Sequence, residues 1–194
     1  MSIQINYFCH ILWQTAYHCL AMLYVPPISD YKPFYIQFAS GQALNILDEF
    51  KVIVKTHDYP SALKPKEPYN NKWYDQHGDD EYIPSTGLFA EAFTFKLECV
   101  MFAKNPNGES NAIADLQAGL RAFRDALLGA GFFKTYDAWT GFGFRQVRLA
   151  EFPAPGGDAY DSWSDCTRLI FSVSLKVNDP VTHMALLGNN IVEG

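Results

Sequence analysis

The chain has 194 residues, and 48% of them are hydrophobic, so it can bury a substantial core as one domain without disulfides or structural metals. Twenty-one acidic residues against fifteen basic ones give a net charge of -6. Because no basic run or glycine-rich phosphate loop accompanies this acidic balance, specific nucleic-acid binding is disfavoured.

The first 29 residues contain no Lys, Arg, Asp or Glu. A secretory signal is disfavoured because its basic n-region is missing. Residues 7–25 are long enough to span a bilayer, but His10, Gln14 and His18 interrupt the apolar run and no basic residues flank it. We therefore interpret residues 1–43 as an uncharged N-terminal arm with a short strand, which docks within the chain or on a neighbouring subunit.

The region from 44 to 180 has the patterning of a core domain. Two runs of alternating apolar residues predict long strands, at Phe93, Phe95, Leu97, Cys99 and Met101 and at Leu169, Phe171, Val173, Leu175 and Val177. An apolar stripe with steps of three and four predicts an amphipathic helix through Ile113, Leu116, Leu120, Phe123 and Leu127. Two further strands around Gly141 and Gly143 predict a hairpin.

These elements predict an α+β fold, mainly an antiparallel β sandwich or partial barrel with one helix packed on the sheet. We expect a long loop at 57–84 and a C-terminal tail at 181–194. The four cysteines are widely spaced and form no CxxC pair. Cys99 lies on the apolar row of a strand, so we expect a buried free thiol and a reducing compartment.

The loop contains an acidic string between Trp73 and Pro84. Its weak candidates for a metal site are Asp75, His77, Asp79, Asp80 and Glu81. The spacing lacks the pattern of a calcium loop, and no second histidine motif completes a transition-metal set. We therefore predict no metal site and interpret the string as an acidic turn at a subunit contact.

The remaining polar residues suggest contacts rather than chemistry. Arg145 and Arg148 lie on the second strand of the hairpin, where we expect inter-strand or inter-subunit salt bridges. No nucleophile–base pair follows from the spacing, so we predict neither catalysis nor a cofactor. The residues expected at a subunit interface are Trp73, Tyr74, His77, Asp79, Asp80, Tyr82, Arg145 and Arg148.

The order of these elements resembles the tail-tube and distal-tail protein superfamily of long-tailed bacteriophages. The resemblance covers residues 44–180: a strand at 44–56, the loop with Gly78–Asp79, the strand at 93–102, the helix at 113–128, the hairpin at 132–149 and the strand at 169–177, which ends in Asn178–Asp179–Pro180. The string from Trp73 to Pro84 is its most distinctive local piece.

The resemblance implies a structural virion protein of the tail, assembled in the cytoplasm of the bacterial host. It implies a homo-oligomeric ring built by inter-subunit sheet and loop contacts, with other tail or neck proteins as partners and no membrane partner. A tail terminator or head–tail connector is the nearest alternative. A metal-dependent enzyme or metal-stabilised binding domain centred on residues 75–81 is the alternative from another class.

Overall fold

A computed structural model describes residues 31–39, 41–71, 80–103, 109–153, 161–162 and 168–194. The secondary structure, in chain order, is β1 (Phe34–Gln37), β2 (Leu44–Asn45), α1 (Ile46–Phe50), β3 (Val52–His57), β4 (Tyr69–Asn71), β5 (Asp80–Tyr82), β6 (Phe93–Phe102), α2 (Glu109–Gly129), β7 (Phe133–Asp137), β8 (Phe142–Glu151), β9 (Asp161–Ser162), β10 (Arg168–Leu187) and β11 (Asn190–Glu193). Of the predicted N-terminal arm with a short strand (1–43), residues 1–30 lie outside the described residues, and the described part contains β1.

The main sheet has the strand order β2-β1-β7-β8-β10-β6-β3, and every pairing in it is antiparallel. The two long strands predicted from alternation are neighbours, with Leu97 opposite Val173 and Phe95 opposite Leu175. Residues that face each other across an antiparallel pair lie on the same side of the sheet. The two apolar rows therefore form one continuous buried surface.

The sheet curves until its two outer strands approach each other. Strands β2 and β3 are at opposite ends of the strand order, yet only α1 and one residue connect them. Seven strands spaced about 4.8 Å apart would span roughly 29 Å if flat, whereas five helical residues advance only about 7.5 Å. The ring of Tyr59, just after β3, packs 5.7 Å from the ring of Phe144 on β8, across the interior. The sheet is therefore a partial barrel.

Helix α2 packs on the buried face of this sheet through a stripe close to the predicted one. Leu116, Leu120, Phe123 and Leu127 are buried, and the ring of Phe123 meets that of Phe171 on β10 edge-on. Ile113, which the periodicity placed on the same stripe, is instead 42% exposed, whereas Ala112 is buried. The prediction for Ile113 was therefore wrong, because the first turn of α2 presents the preceding residue to the sheet.

The strand expected at 44–56 is interrupted by a short helix. The side-chain oxygen of Asn45 accepts a hydrogen bond from the backbone N–H of Leu47, which caps the start of α1. Asp48 and Glu49 occupy the first turn, where negative charge is favourable, and Lys51 ends the helix in a left-handed conformation (φ 58°). These local signals outweigh the strand character of the flanking apolar residues.

Residues 181–194 were expected to form a tail, but they form a hairpin. Strand β10 continues to Leu187 and pairs with β11, so that Leu186 lies opposite Ile191, which is fully buried. The side chain of Gln37 on β1 accepts a hydrogen bond from the backbone N–H of Ile191 at 2.7 Å. These contacts hold the C-terminal residues against the sheet.

The structure confirms the predicted α+β class, with an antiparallel sheet and a helix packed on it. It also confirms the hairpin, as β7 and β8, and the free buried thiol, since Cys99 is 1% exposed. No helix among the described residues is both long and apolar enough to cross a membrane.

Candidate subunit interface

Residues 58–71 and 80–92 form a two-stranded extension of the β3–β6 pair, which we call the ribbon. Its outgoing leg is 58–71 and its returning leg is 80–92, whereas residues 72–79 lie outside the described part of the chain. The backbone N–H of Asp58 donates to the carbonyl of Lys96, and further out Pro65 lies opposite Ala90. Strands β4 and β5 then pair with Tyr69 opposite Tyr82. The predicted loop at 57–84 is thus partly a paired structure that extends beyond the barrel.

The ribbon exposes an unusual amount of apolar surface. Tyr69 is 74% exposed and Tyr82 opposite it is 67% exposed, so their rings lie on one side of the ribbon. Its other exposed large apolar residues are Leu63, Ile83, Leu88 and Phe89. Exposed large apolar side chains concentrated on one segment are typical of protein–protein contact sites.

A buried polar cluster fixes the root of the ribbon. The carboxylate of Asp137, which is 4% exposed at the end of β7, accepts a hydrogen bond from the Tyr59 hydroxyl at 3.2 Å. It also accepts hydrogen bonds from the backbone N–H of Trp139 at 2.8 Å and the hydroxyl of Thr140 at 3.2 Å. The imidazole of His57 stacks on the Tyr59 ring and lies 3.8 Å from the same carboxylate.

This cluster joins the two walls of the barrel. Burial, followed by the charge and the hydrogen bond of Asp137, raises the pKa of the Tyr59 phenol well above its ordinary value, so the hydroxyl stays a donor. Asp137 in turn holds the β7–β8 turn, which carries Trp139 at 70% exposure and leads to Phe142 at 51% exposure. The ribbon and this turn therefore leave the barrel at the same end.

A cavity of about 280 Å³ lies between the two legs near the root of the ribbon. Its lining is mainly apolar, with Leu63, Ala92 and Phe93 among its residues, and Lys64 and Glu91 contribute the only charged side chains of the lining. It shares no residue with the Asp137 cluster.

The two predicted interface arginines are used within the chain. Arg145 on β8 forms ion pairs with Asp179 on β10 and Glu193 on β11, which ties three strands together. Burial disfavours the charged form of Asp179, but the hydrogen bonds from Arg145 and from Thr182 outweigh it and hold the pKa of this carboxyl below its usual range. Arg148 donates to the backbone carbonyl of Leu149 at 3.1 Å. The inter-strand alternative is thus the arrangement seen at Arg145.

The acidic string divides between described and undescribed residues. Trp73, Tyr74, Asp75, His77 and Asp79 lie outside the described residues, and so does the side chain of Asp80. Glu81 and Tyr82 are exposed on β5. Within the described ranges, no group of three or more His, Cys, Asp or Glu side chains is arranged to hold a metal ion.

Sequence reasoning missed Tyr59 and Asp137 at the root, and Tyr69, Phe89 and Trp139 on the surface. Asp137 had a usable signal, because it follows Phe133 and Thr135 at the alternate positions of β7 that point inward. A charged residue on a buried row needs partners, and these are now identified. The surface aromatics had no such signal, since exposure depends on pairings between distant segments.

No protein-family model and no curated protein matches the chain. Among solved structures, the chain is similar to SPP1 Dit (gp 19.1), described as a paradigm of the hub adsorption apparatus in phages that infect Gram-positive bacteria. The TM-score is 0.49 and the identity 11%, over 79% of this chain and 52% of that protein. The chain thus spans about half of the length of the Dit protein.

Proposed function

We propose that this chain is a structural subunit of a bacteriophage tail that assembles with copies of itself into a ring. The observation that carries the proposal is the ribbon, which extends beyond the barrel and presents exposed aromatic residues on a paired backbone. A two-stranded ribbon is marginally stable in water without a further contact. A subunit contact would bury the surface that the isolated chain leaves exposed.

The phage assignment is supported by the order of elements. The strand, ribbon, strand, helix, hairpin and long strand follow one another in the order on which the tail-protein resemblance rests. Within the described residues that order is modified by α1 and by β10, which continues to Leu187 instead of ending at Asn178–Asp179–Pro180. The proposal covers the tail-tube, distal-tail and tail-terminator alternatives, because each of them forms rings. The other tail or neck proteins would then contact the ring rather than the isolated chain.

The test is the mass of the purified full chain in solution, measured by sedimentation velocity and native mass spectrometry over a range of concentrations. We expect a species several-fold heavier than the 21.9 kDa monomer and rings with a central opening in negative-stain micrographs. A monomer at every concentration would refute the proposal.

A matched pair of variants tests the role of the ribbon. Serine at Tyr69, Tyr82 and Phe89 removes exposed apolar surface from the ribbon, and we expect this variant to lose the heavy species. Serine at Leu128, Phe132 and Leu187 removes exposed apolar surface elsewhere and should leave the heavy species intact. Circular dichroism and thermal unfolding establish that both variants fold.

A further inference from the structure

The two legs of the ribbon differ in charge. The outgoing leg, residues 58–71, has two basic residues, Lys64 and Lys66, against two acidic ones, Asp58 and Glu67, so it is neutral overall with its positive charge concentrated at Lys64–Lys66. From residue 80 to 92 the returning leg has Asp80–Glu81 and Glu91 and no basic residue. The ribbon therefore carries a basic segment on one leg and only acidic charges on the other.

These charges are not neutralised within the described part of the chain. Lys64 and Glu91 are exposed, and neither forms an ion pair with another described residue. The same holds for Lys66 and Glu81. By contrast, Arg145 has two carboxylate partners. These four charges lie on the ribbon, where a second copy could reach them.

The backbone sets which charges would meet. The N–H of Glu91 donates to the carbonyl of Lys64 at 2.7 Å, so these two residues lie at the same level along the ribbon. In a ring, copies are related by rotation about one axis, so the same residue lies at the same height along the axis in every copy. When the ribbons of neighbouring copies point the same way, the outgoing leg of one and the returning leg of the next run antiparallel. Lys64 of one copy then faces Glu91 of the next.

The charge pattern also disfavours some alternative contacts. A two-fold dimer that brings two Lys64–Lys66 segments together, or two returning legs together, would place like charges against each other, and such contacts are unfavourable. A side-by-side contact between unlike legs instead brings opposite charges together. That contact is head-to-tail and can repeat from copy to copy.

Side chains rather than added strands must hold this contact. Pro65 lies opposite Ala90, and the hydrogen bonds between the legs are made by the residues on either side of this pair. The backbone groups of Pro65 and Ala90 themselves therefore point away from the partner leg. Proline has no N–H to offer there, which blunts this edge for strand addition.

We propose that neighbouring copies bind side by side through their ribbons, with the Lys64–Lys66 segment on the outgoing leg of one against the acidic returning leg of the next and with Lys64 paired to Glu91. This inference rests on the proposed ring function and adds the polarity of its subunit contact. Because the contact involves exposed charges, we expect it to weaken as salt is raised.

The test is a charge-reversal series on the full chain, with self-association measured by sedimentation velocity at low salt. Lys64→Glu or Glu91→Lys alone should weaken association roughly tenfold, because each replaces an attraction by a repulsion at every contact. A mixture of the two variants should recover assembly, since Glu at 64 in one copy then faces Lys at 91 in its neighbour. Arg121→Glu and Glu49→Lys make the same charge changes at exposed positions away from the ribbon and should have no effect.

The outcomes separate the two proposals. Recovery in the mixture supports pairing between copies, because each variant still carries a mismatch within its own ribbon. If the wild type assembles but the single variants do too, or if the mixture fails to recover, the polarity is overturned and the ring function stands. A wild type that stays monomeric overturns both.

Discussion

The hydrogen bond between Tyr59 and Asp137 should stabilise both the fold and the root of the ribbon. Asp137 is 4% exposed, and its carboxylate accepts hydrogen bonds from Trp139, Thr140 and Tyr59. Of these donors, only Tyr59 belongs to the ribbon. Tyr59→Phe removes this donor and keeps the ring that packs on Phe144.

The geometry sets the expected cost. Hydrogen bonds to charged groups contribute about 1.5–3 kcal/mol, and an O–H···O distance of 3.2 Å is longer than the usual value of about 2.8 Å. We therefore expect Tyr59→Phe to lower the free energy of unfolding by about 1.5 kcal/mol. Asp137→Asn keeps an oxygen acceptor but loses the charge, and it should cost about 2 kcal/mol. Because the two changes remove the same interaction, the double variant should be about 1 kcal/mol more stable than the sum predicts.

The same contact predicts a pH dependence. The pKa of Tyr59 is raised in the folded state, primarily by burial, whereas in the unfolded chain it titrates near its ordinary value of 10.0. Above pH 10 the unfolded state therefore binds fewer protons than the folded state, and the free energy of unfolding falls as the pH rises. Relative to Tyr59→Phe, the wild type should lose about 1.4 kcal/mol per pH unit in this range.

The assay is urea unfolding followed by tryptophan fluorescence at pH 7 and between pH 10 and 11.5, with hydrogen exchange of the ribbon amides as a local readout. Tyr136→Phe serves as the control, because the Tyr136 hydroxyl has no hydrogen-bond partner among the described residues. A coupling below about 0.3 kcal/mol, together with parallel alkaline profiles for wild type and Tyr59→Phe, would refute the role given to this contact. Unchanged exchange of the ribbon amides would show that the contact stabilises the barrel but not the ribbon.

Two further predictions concern the barrel. A β-carbon at Gly143 would lie 2.8 Å from two backbone oxygens and a side-chain carbon, so Gly143→Ala should lower the free energy of unfolding in urea by about 3 kcal/mol. Gly141 lies in open space at φ +74°, so Gly141→Ala should lower it by only about 1 kcal/mol. Equal costs for the two variants would contradict the packing argument. Because the pKa of Asp179 is lowered in the folded state, its pairing with Arg145 stabilises the fold above the ordinary pKa of 3.8 and is lost as the pH falls through the folded value. Asp179→Asn should therefore cost about 1 kcal/mol at pH 7, and the cost should shrink as the pH falls below 3.8; a pH-independent cost would show that the charge is not what matters.

The sequence predicted the elements whose signal is local and repeated. Alternation through Phe93–Met101 and Leu169–Val177 identified two strands, and their direct pairing follows from the two apolar rows that must be buried together. The helix stripe was correct from Leu116 onward. The error at Ile113 arose in the first turn of the helix, where no preceding turn helps to identify the buried face.

The elements that escaped prediction depend on long-range pairing. Residues 181–194 have weak patterning, and their order comes from Leu186 opposite Ile191 and from Gln37, more than 150 residues away in sequence. The ribbon likewise depends on pairing residues 64–71 with residues 80–91 around Pro65, which no local pattern indicates. The partners of Arg145 could not be predicted for a related reason, since Asp179 and Glu193 lie on strands that only the fold brings together.

The charges of the ribbon are suited to a ring because each contact can be weak. An exposed ion pair such as Lys64 with Glu91 contributes at most about 1 kcal/mol, which alone would hold no dimer together. In a closed ring every copy makes one contact through its outgoing leg and another through its returning leg. The last contact forms between subunits that are already connected, so its entropic cost is reduced. The same repetition magnifies a reversal, since one substitution in the gene alters every contact in the ring. A charge variant that is mild in a two-body contact should therefore weaken the closed assembly more strongly than it weakens a single contact, while leaving the monomer folded.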